Sequence, residues 1–272
     1  MPYKDILTLV TSDEQEPVFR ASEIVSRKDA GHLAFVHLTQ MPEPFIDPFT
    51  PTTTAWNELL VSARASALAA KKRIQDRVTR LDALTELRSV EAVRTLADSA
   101  IGEQSLHADI TIMEVPDSEI SHAAFQGALF KSGRPVLLVP SKWRGETLGE
   151  NVVIGWKPTR EAARAIADAM PFLTGAKKVT VLTVDAAPDG YGQGPGRDIA
   201  THLAREGVRV EVRNLDSMGR LAETALLEEA RAVGADLLVM GGYGHGRLTE
   251  FVFGGVTRAL SRTSPIPVLI SH

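Results

Sequence analysis

The chain has 272 residues, 44% hydrophobic and 24% charged, with a formal net charge of -4 and no cysteine. Such proportions belong to a globular chain with a proper core, and the length suits two domains of ordinary size or one large one. They exclude disulfides and thiolate metal sites, and the slightly acidic balance without a long Lys/Arg run argues against nucleic acid or an acidic membrane as partner.

The start, Met1-Pro2-Tyr3-Lys4-Asp5, does not have the form of a signal peptide, and no segment approaches the ~20 apolar residues of a membrane span. A soluble, cytoplasmic protein is expected. Short runs rich in Val, Ile and Leu then recur between segments of helical periodicity, the pattern of a parallel sheet covered on both faces. The first series of expected strands is 6–10, 33–38, 86–90, 110–115 and 136–139, and a Pro- and Thr-rich segment, 41–54, precedes a long amphipathic helix over 55–81. That segment and helix are candidates for a lid or a partner surface. A second series follows at 152–155, 179–184, 208–212, 237–240 and 268–270, with helices over 161–170, 199–205 and 221–233. The alternation predicts an α/β fold of doubly wound parallel sheets.

The two series repeat one another. Ala108-Asp109-Ile110-Thr111-Ile112-Met113 answers Ala235-Asp236-Leu237-Leu238-Val239-Met240, and Arg134-Pro135-Val136-Leu137-Leu138-Val139 answers Ile266-Pro267-Val268-Leu269-Ile270. Two tandem domains of five strands each are expected, over 1–143 and 150–272, with the polar stretch 141–150 between them. The alternative is one continuous sheet of about ten strands. Each half ends in an apolar strand that would leave a sheet edge open, so the halves are expected to pair internally as a pseudo-dimer, with room for further pairing of whole chains.

After the strand 237–240 comes Gly241-Gly242-Tyr243-Gly244-His245-Gly246-Arg247, and Gly254-Gly255-Val256-Thr257 then leads into helical sequence. Glycines at the carboxyl end of a parallel strand bring bare N–H groups close to a ligand, and a second pair at a helix start adds free amides and the positive end of the dipole. Single glycines would be read as turns and caps. The constellation as a whole reads as an anion site.

The spacing Gly241-x-x-Gly244, nine residues, then Gly254 and a small residue resembles the G-x-x-G-x9-G-(S/T) signature of the universal stress protein family. The flanks Ala235 to Gly241 and Ser264-Pro265-Ile266-Pro267-Val268-Leu269 agree with it, so that the close match spans about 38 residues. The resemblance implies an adenine nucleotide alpha hydrolase-like, Rossmann-like domain that binds ATP, with or without Mg, or a related adenine nucleotide, as a regulatory ligand. It implies Gly241, Gly244, Gly254, Gly255 and Val256 at the phosphates, Trp156, Lys157, Pro158 and Thr159 in the first-strand loop, Val184 at the adenine edge, and Met240 at the strand end before the loop.

Two positions depart from that pattern. Gly255 stands where Ser or Thr is usual, which removes a hydroxyl donor worth roughly 1.5–3 kcal/mol to a charged group. Lys157 stands where Asp is frequent; it can reach phosphate but cannot accept a ribose hydroxyl. In the first half, Glu114, Val115, Pro116 and Asp117 occupy the places of Gly241 to Gly244, and the span from Met113 to Arg134 is five residues shorter than that from Met240 to Ile266. That half is expected to be a degenerate repeat without a phosphate loop.

Other patterns carry less. The loop 190–196 contains Pro195, which donates no N–H, and is read as a loop over the site. His245, inside the glycine loop, is more simply an exposed loop histidine than a functional group, and Trp156 is as well suited to a core edge as to stacking on a base. No catalytic residue can be assigned, so any hydrolysis is expected to be slow. The rival readings are a scaffold of the same fold with a relic glycine loop, favoured by Gly255 and Lys157, and an ATP pyrophosphatase, whose Ser-Gly-Gly-x-Asp-Ser loop is absent.

Overall fold

The computed structural model describes residues 2–43, 53–187, 194, 196–242 and 263–272. Its first half alternates β1 (Asp5–Val10), α1 (Glu16–Asp29), β2 (His32–Gln40), α2 (Thr53–Val78), β3 (Thr85–Ala92), α3 (Ala97–Ser105), β4 (Ile110–Glu114), α4 (Glu119–Phe130) and β5 (Val136–Val139). The second contains β6 (Asn151–Gly155), α5 (Arg160–Leu173), β7 (Lys178–Val184), α6 (Arg197–Arg205), β8 (Val210–Leu215), α7 (Ala222–Ala232), β9 (Leu237–Gly241) and β10 (Val268–Ser271). The strands form a single sheet in the order β3-β2-β1-β4-β5-β10-β9-β6-β7-β8. Each half therefore has the same order, third-second-first-fourth-fifth, and both sequence alternatives hold together: a repeated five-strand unit and one ten-stranded sheet.

The seam is β5 against β10. Val136 lies opposite Ile270, Leu137 opposite Leu269 and Leu138 opposite Val268, antiparallel, whereas the other pairings of the described strands are parallel. All of these apolar side chains are buried. Two strands with no polar face and one free edge each thus satisfy one another's backbone groups, as the open-edge argument requires. The core is continuous across the seam on both faces: one cluster joins Ile6, Phe19 and Leu137 to Val152, Phe172 and Leu269, the other joins Leu7, Phe125 and Leu138 to Leu238, Met240 and Ile270. Tyr3 adds a polar tie, its hydroxyl donating to the Asp168 carbonyl at 2.6 Å while its ring lies 5.4 Å from that of Phe172.

The repeated Ala-Asp pair has a physical role in each half. Asp109 Oδ2 accepts from the amides of Lys4 (2.7 Å) and Asp5 (3.0 Å), and Asp236 accepts from those of Gly149, Glu150 and Asn151 at 3.0–3.1 Å. One carboxylate ahead of the fourth strand ties down the chain entering the first.

The outer edges are defended by charge. The expectation of a strand over 208–212 is corrected to Val210–Leu215: Val208 N–H instead closes the turn after α6 on the Leu203 carbonyl at 3.0 Å. The polar run Glu211, Arg213 and Asn214 hid the far end of this strand, because an edge strand needs no apolar face and uses charge to discourage pairing. Glu211 bridges Lys178 (2.9 Å) and Arg213 (2.8 Å). Helix α2 begins two residues before the helix expected over 55–81 and ends three residues before its expected end, while residues 44–52 of the segment 41–54, a candidate lid, lie outside the described residues. Its last turns bury Ile74 and Val78, and Arg73 and Arg77 bind Asp13 and Glu16, while Leu59, Val61 and Leu68 remain exposed.

Replacing Asp236 by Ala should lower the stability of the whole chain by about 1.5–3 kcal/mol, the cost of losing hydrogen bonds to a charged group, and Asp109→Ala should do likewise; urea denaturation measures both. The Arg213 hydrogen bond, followed by that of Lys178, holds the Glu211 carboxyl down to about 2 from an ordinary 4.5. A carboxyl depressed in the folded state stabilises above its unfolded value and loses that contribution as pH falls toward the folded one, here between about 4.5 and 2. Its NMR titration should have a midpoint near 2 that rises in Arg213→Ala.

Candidate nucleotide crevice

In the second half the strand order reverses between β6 and β9, which run parallel with Gly155 opposite Met240. Their carboxyl ends therefore release Trp156 and Gly241 side by side into a crevice at the switch point, the place where doubly wound sheets receive ligands. Trp156 N–H donates to the Leu182 carbonyl at 2.8 Å, so the loop leaves β6 alongside β7, whose last residue is Val184. The Trp156 ring is half-buried at the edge of the core. Lys157 and Pro158 are exposed, and Thr159 turns the chain into α5: its N–H donates to the Lys157 carbonyl at 2.7 Å and its Oγ1 accepts from Ala162 N–H at 3.3 Å. This is a conventional N-cap, with the hydroxyl meeting one of the amides that the first helical turn leaves unpaired.

Glu161, one residue into α5, is buried, and its carboxyl is held below the usual carboxylate range by Arg160, against the opposing effect of burial. Its backbone explains Gly241. A Cβ added at position 241 would stand 2.4 Å from the Ala162 nitrogen and 2.6 Å from the Glu161 carbonyl carbon. The end of β9 and the first turn of α5 thus touch backbone to backbone. The glycine at 241 is needed for packing, a role that sequence spacing did not separate from one at phosphate.

The structure brings together Trp156, Lys157, Pro158, Thr159, Met240 and Gly241, with Val184 one strand further out. Gly244, Gly254, Gly255 and Val256 lie outside the described residues, as do His245 and most of the loop 190–196.

The equivalent crevice of the first half, between β1 and β4, is bridged by one of the protein's own side chains. Gln15 Oε1 accepts from the amides of Thr11 (2.7 Å) and Ser12 (3.3 Å) where β1 ends, and its Nε2 donates to Glu114 Oε2 at 2.7 Å where β4 ends. The side chain joins the two strand ends across the switch point and uses the amides a ligand would want. Beyond β4, Ser118 and Ser121 form a reciprocal capping box at the start of α4, so that helix N-terminus also has partners. Sequence reading found Glu114 and Asp117 but missed Gln15 and the Ser118-x-x-Ser121 cap; the latter was visible as a capping pattern, the former was not.

A family model described as the universal stress protein family matches residues 150–272. Residues 150–272 are a universal stress protein domain. The whole chain is similar in fold to the crystal structure of a universal stress protein from Archaeoglobus fulgidus, with a TM-score of 0.67 at 18% identity over 97% of this chain and 95% of the other. It is also similar to a putative universal stress protein from Pseudomonas aeruginosa, with a TM-score of 0.57 at 15% identity over 99% and 93% of the two chains. These likenesses extend the universal stress protein fold over both halves, consistent with a tandem arrangement. No curated protein matches the chain. Among the described residues no helix is long and apolar enough to cross a membrane.

Replacing Gly241 by Ala should cost about 1–3 kcal/mol of stability with or without a nucleotide, because two backbone segments must part to admit the methyl group. Thermal unfolding of the variant in the presence and absence of ATP measures the two effects separately.

Proposed function

We propose that the chain is a cytoplasmic stress-response protein whose C-terminal half, 150–272, binds ATP or a related adenine nucleotide as a regulatory ligand, while the N-terminal half, 1–143, binds none. The observation that carries this reading is the contrast between the two switch points. One is bridged by Gln15 and closed with Glu114; the other has Gly241 in the place of Glu114 and Lys157 exposed on the opposite lip. The family match over 150–272 and the Gly241-x-x-Gly244-x9-Gly254 spacing support the same ligand class.

The residues present suit a polyphosphate. Gly241, Gly244, Gly254, Gly255 and Val256 would offer backbone amides, the Lys157 ammonium would offset charge, and Trp156, Pro158, Thr159, Met240 and Val184 would border the ribose and base. Two carboxylates that would repel phosphate in the first half, Glu114 and Asp117, have glycines as their counterparts here. In this reading the ligand acts mainly through occupancy, with hydrolysis slow at most.

Native mass spectrometry of the purified full chain, followed by calorimetry with Mg-ATP, tests the proposal: one nucleotide per chain is expected. Gly244→Val should abolish most of the binding, Lys157→Ala should weaken it by about tenfold and flatten its salt dependence, and Asp117→Val should leave it unchanged. A folded wild-type chain that takes up no nucleotide at millimolar ATP would instead support the scaffold reading.

A further inference from the structure

Helix α2 carries apolar side chains on two faces, and its own chain covers one of them. Leu60, Ala63, Ala67, Ala70, Ile74 and Val78 recur every three or four residues and are partly or fully buried, on a helix that packs against β2 and β3. Glu58, Val61, Ala65, Leu68 and Lys72 recur with the same spacing on the opposite side and are exposed. At 3.6 residues per turn these five fall within an arc of about 80°. Val61 and Leu68, in the middle of that arc, are 68% and 70% exposed. An outward helix face is ordinarily polar, and alternate steps of three and four residues are the spacing of a seam between two helices.

The charges along the helix divide in the same way. Arg64, Arg73 and Arg77 bind Glu91, Asp13 and Glu16 of their own chain, whereas Glu58 and Lys72, at the two ends of the outer face, enter no ion pair among the described residues. The order of residues on this face is also its own complement when reversed. Counted from Ala65, Glu58 and Lys72 are each seven residues away, Val61 and Ala69 four, and Ser62 and Leu68 three. Two copies laid antiparallel about Ala65 therefore set each large side chain against a small one, Val61 against Ala69 and Leu68 against Ser62. At both ends they set a carboxylate against an ammonium. A parallel pair would instead place like charges together at each end.

We propose that the outer face of α2, from Glu58 to Lys72, is a self-association surface on which a second copy of this chain docks through its own α2, antiparallel about a two-fold axis at Ala65. Such a contact is isologous and closes as a dimer. Two helices meeting over about four turns bury less than the ~1,200 Å² at which stable interfaces begin, so the dimer is reversible. The surface lies beside β2 and the outermost strand β3, far from the β5–β10 seam and from the second crevice, and is independent of the nucleotide reading.

Sedimentation equilibrium of the full chain across the micromolar range tests the proposal. The wild type should be in monomer–dimer exchange, and Leu68→Glu should weaken association at least about tenfold while far-UV circular dichroism and the thermal midpoint stay as in wild type. Glu58→Lys and Lys72→Glu should each weaken it about threefold to tenfold, and the double variant should return to within about twofold of wild type. Because the chain has no cysteine, Ala65→Cys supplies a single thiol that a short bifunctional maleimide should join to its counterpart, whereas Glu206→Cys, exposed at the end of α6, should give no dimer band. A wild-type chain that stays monomeric overturns the proposal, as does a dimer that Leu68→Glu leaves intact. A double charge swap no better than the single ones, or an Ala65→Cys chain that does not cross-link, overturns it too.

Discussion

Everything in the structure is arranged around the pairing of Leu137 with Leu269 and its two flanking steps, where β5 and β10 run antiparallel. A five-stranded parallel unit of this kind ends in a short, wholly apolar strand with an unpaired row of amides and carbonyls, which in water invites association. Covalent repetition of the unit supplies the complementary strand within one chain. The consequence is a sheet with two strands buried along their whole length at its centre, and whose outermost strands, β3 and β8, are the polar ones. The core clusters on both faces run unbroken through the seam, so neither half has an apolar boundary of its own.

Within that frame the two halves treat the same topological feature in opposite ways. At the first switch point a glutamine amide, able to donate and accept at once, satisfies strand-end amides on one side and a carboxylate on the other. At the second, close contact between Gly241 and the first turn of α5 leaves the strand ends without a bridging side chain among the described residues. A cavity that must stay available to a ligand cannot have its donors satisfied from within, and one that is satisfied from within does not need a ligand to avoid the cost of buried unpaired groups. Among the described residues the difference between the halves is the bridging glutamine, present at the first switch point and without a counterpart at the second.

Much of the architecture could be read from the sequence because apolar runs such as Val152–Ile154 and Val136–Val139 are buried on both faces and leave a periodic trace. The β8 boundary could not, since Glu211, Arg213 and Asn214 serve an edge and erase the run. The Asp109 and Asp236 match was visible as repeated letters, but its meaning, a carboxylate holding the amides ahead of the first strand, needed the fold. Gln15 and Glu114 are 99 positions apart, a separation at which no local pattern survives. Gly241 shows a different difficulty: a glycine at a strand end can answer a need for room beside a helix, the one observed here, or for access by an anion, and sequence alone does not rank the two.

The antiparallel seam also fixes how the molecule faces its surroundings. With strands parallel inside each half and reversed across the joint, the mouth between β6 and β9 opens on one rim of the sheet, and the Gln15-bridged mouth, flanked by Asp13 and α2 with Arg73 and Arg77, opens on the opposite rim. A body docked on the α2 rim would not compete for space with anything held at the other. Any dependence of one on the other would have to be transmitted through the plate itself, along packed strands and across three cross-strand pairs, or along α4, the helix that ends beside the far mouth. The protein is in that sense two-sided, with a fixed distance and a common hydrophobic interior between its two rims.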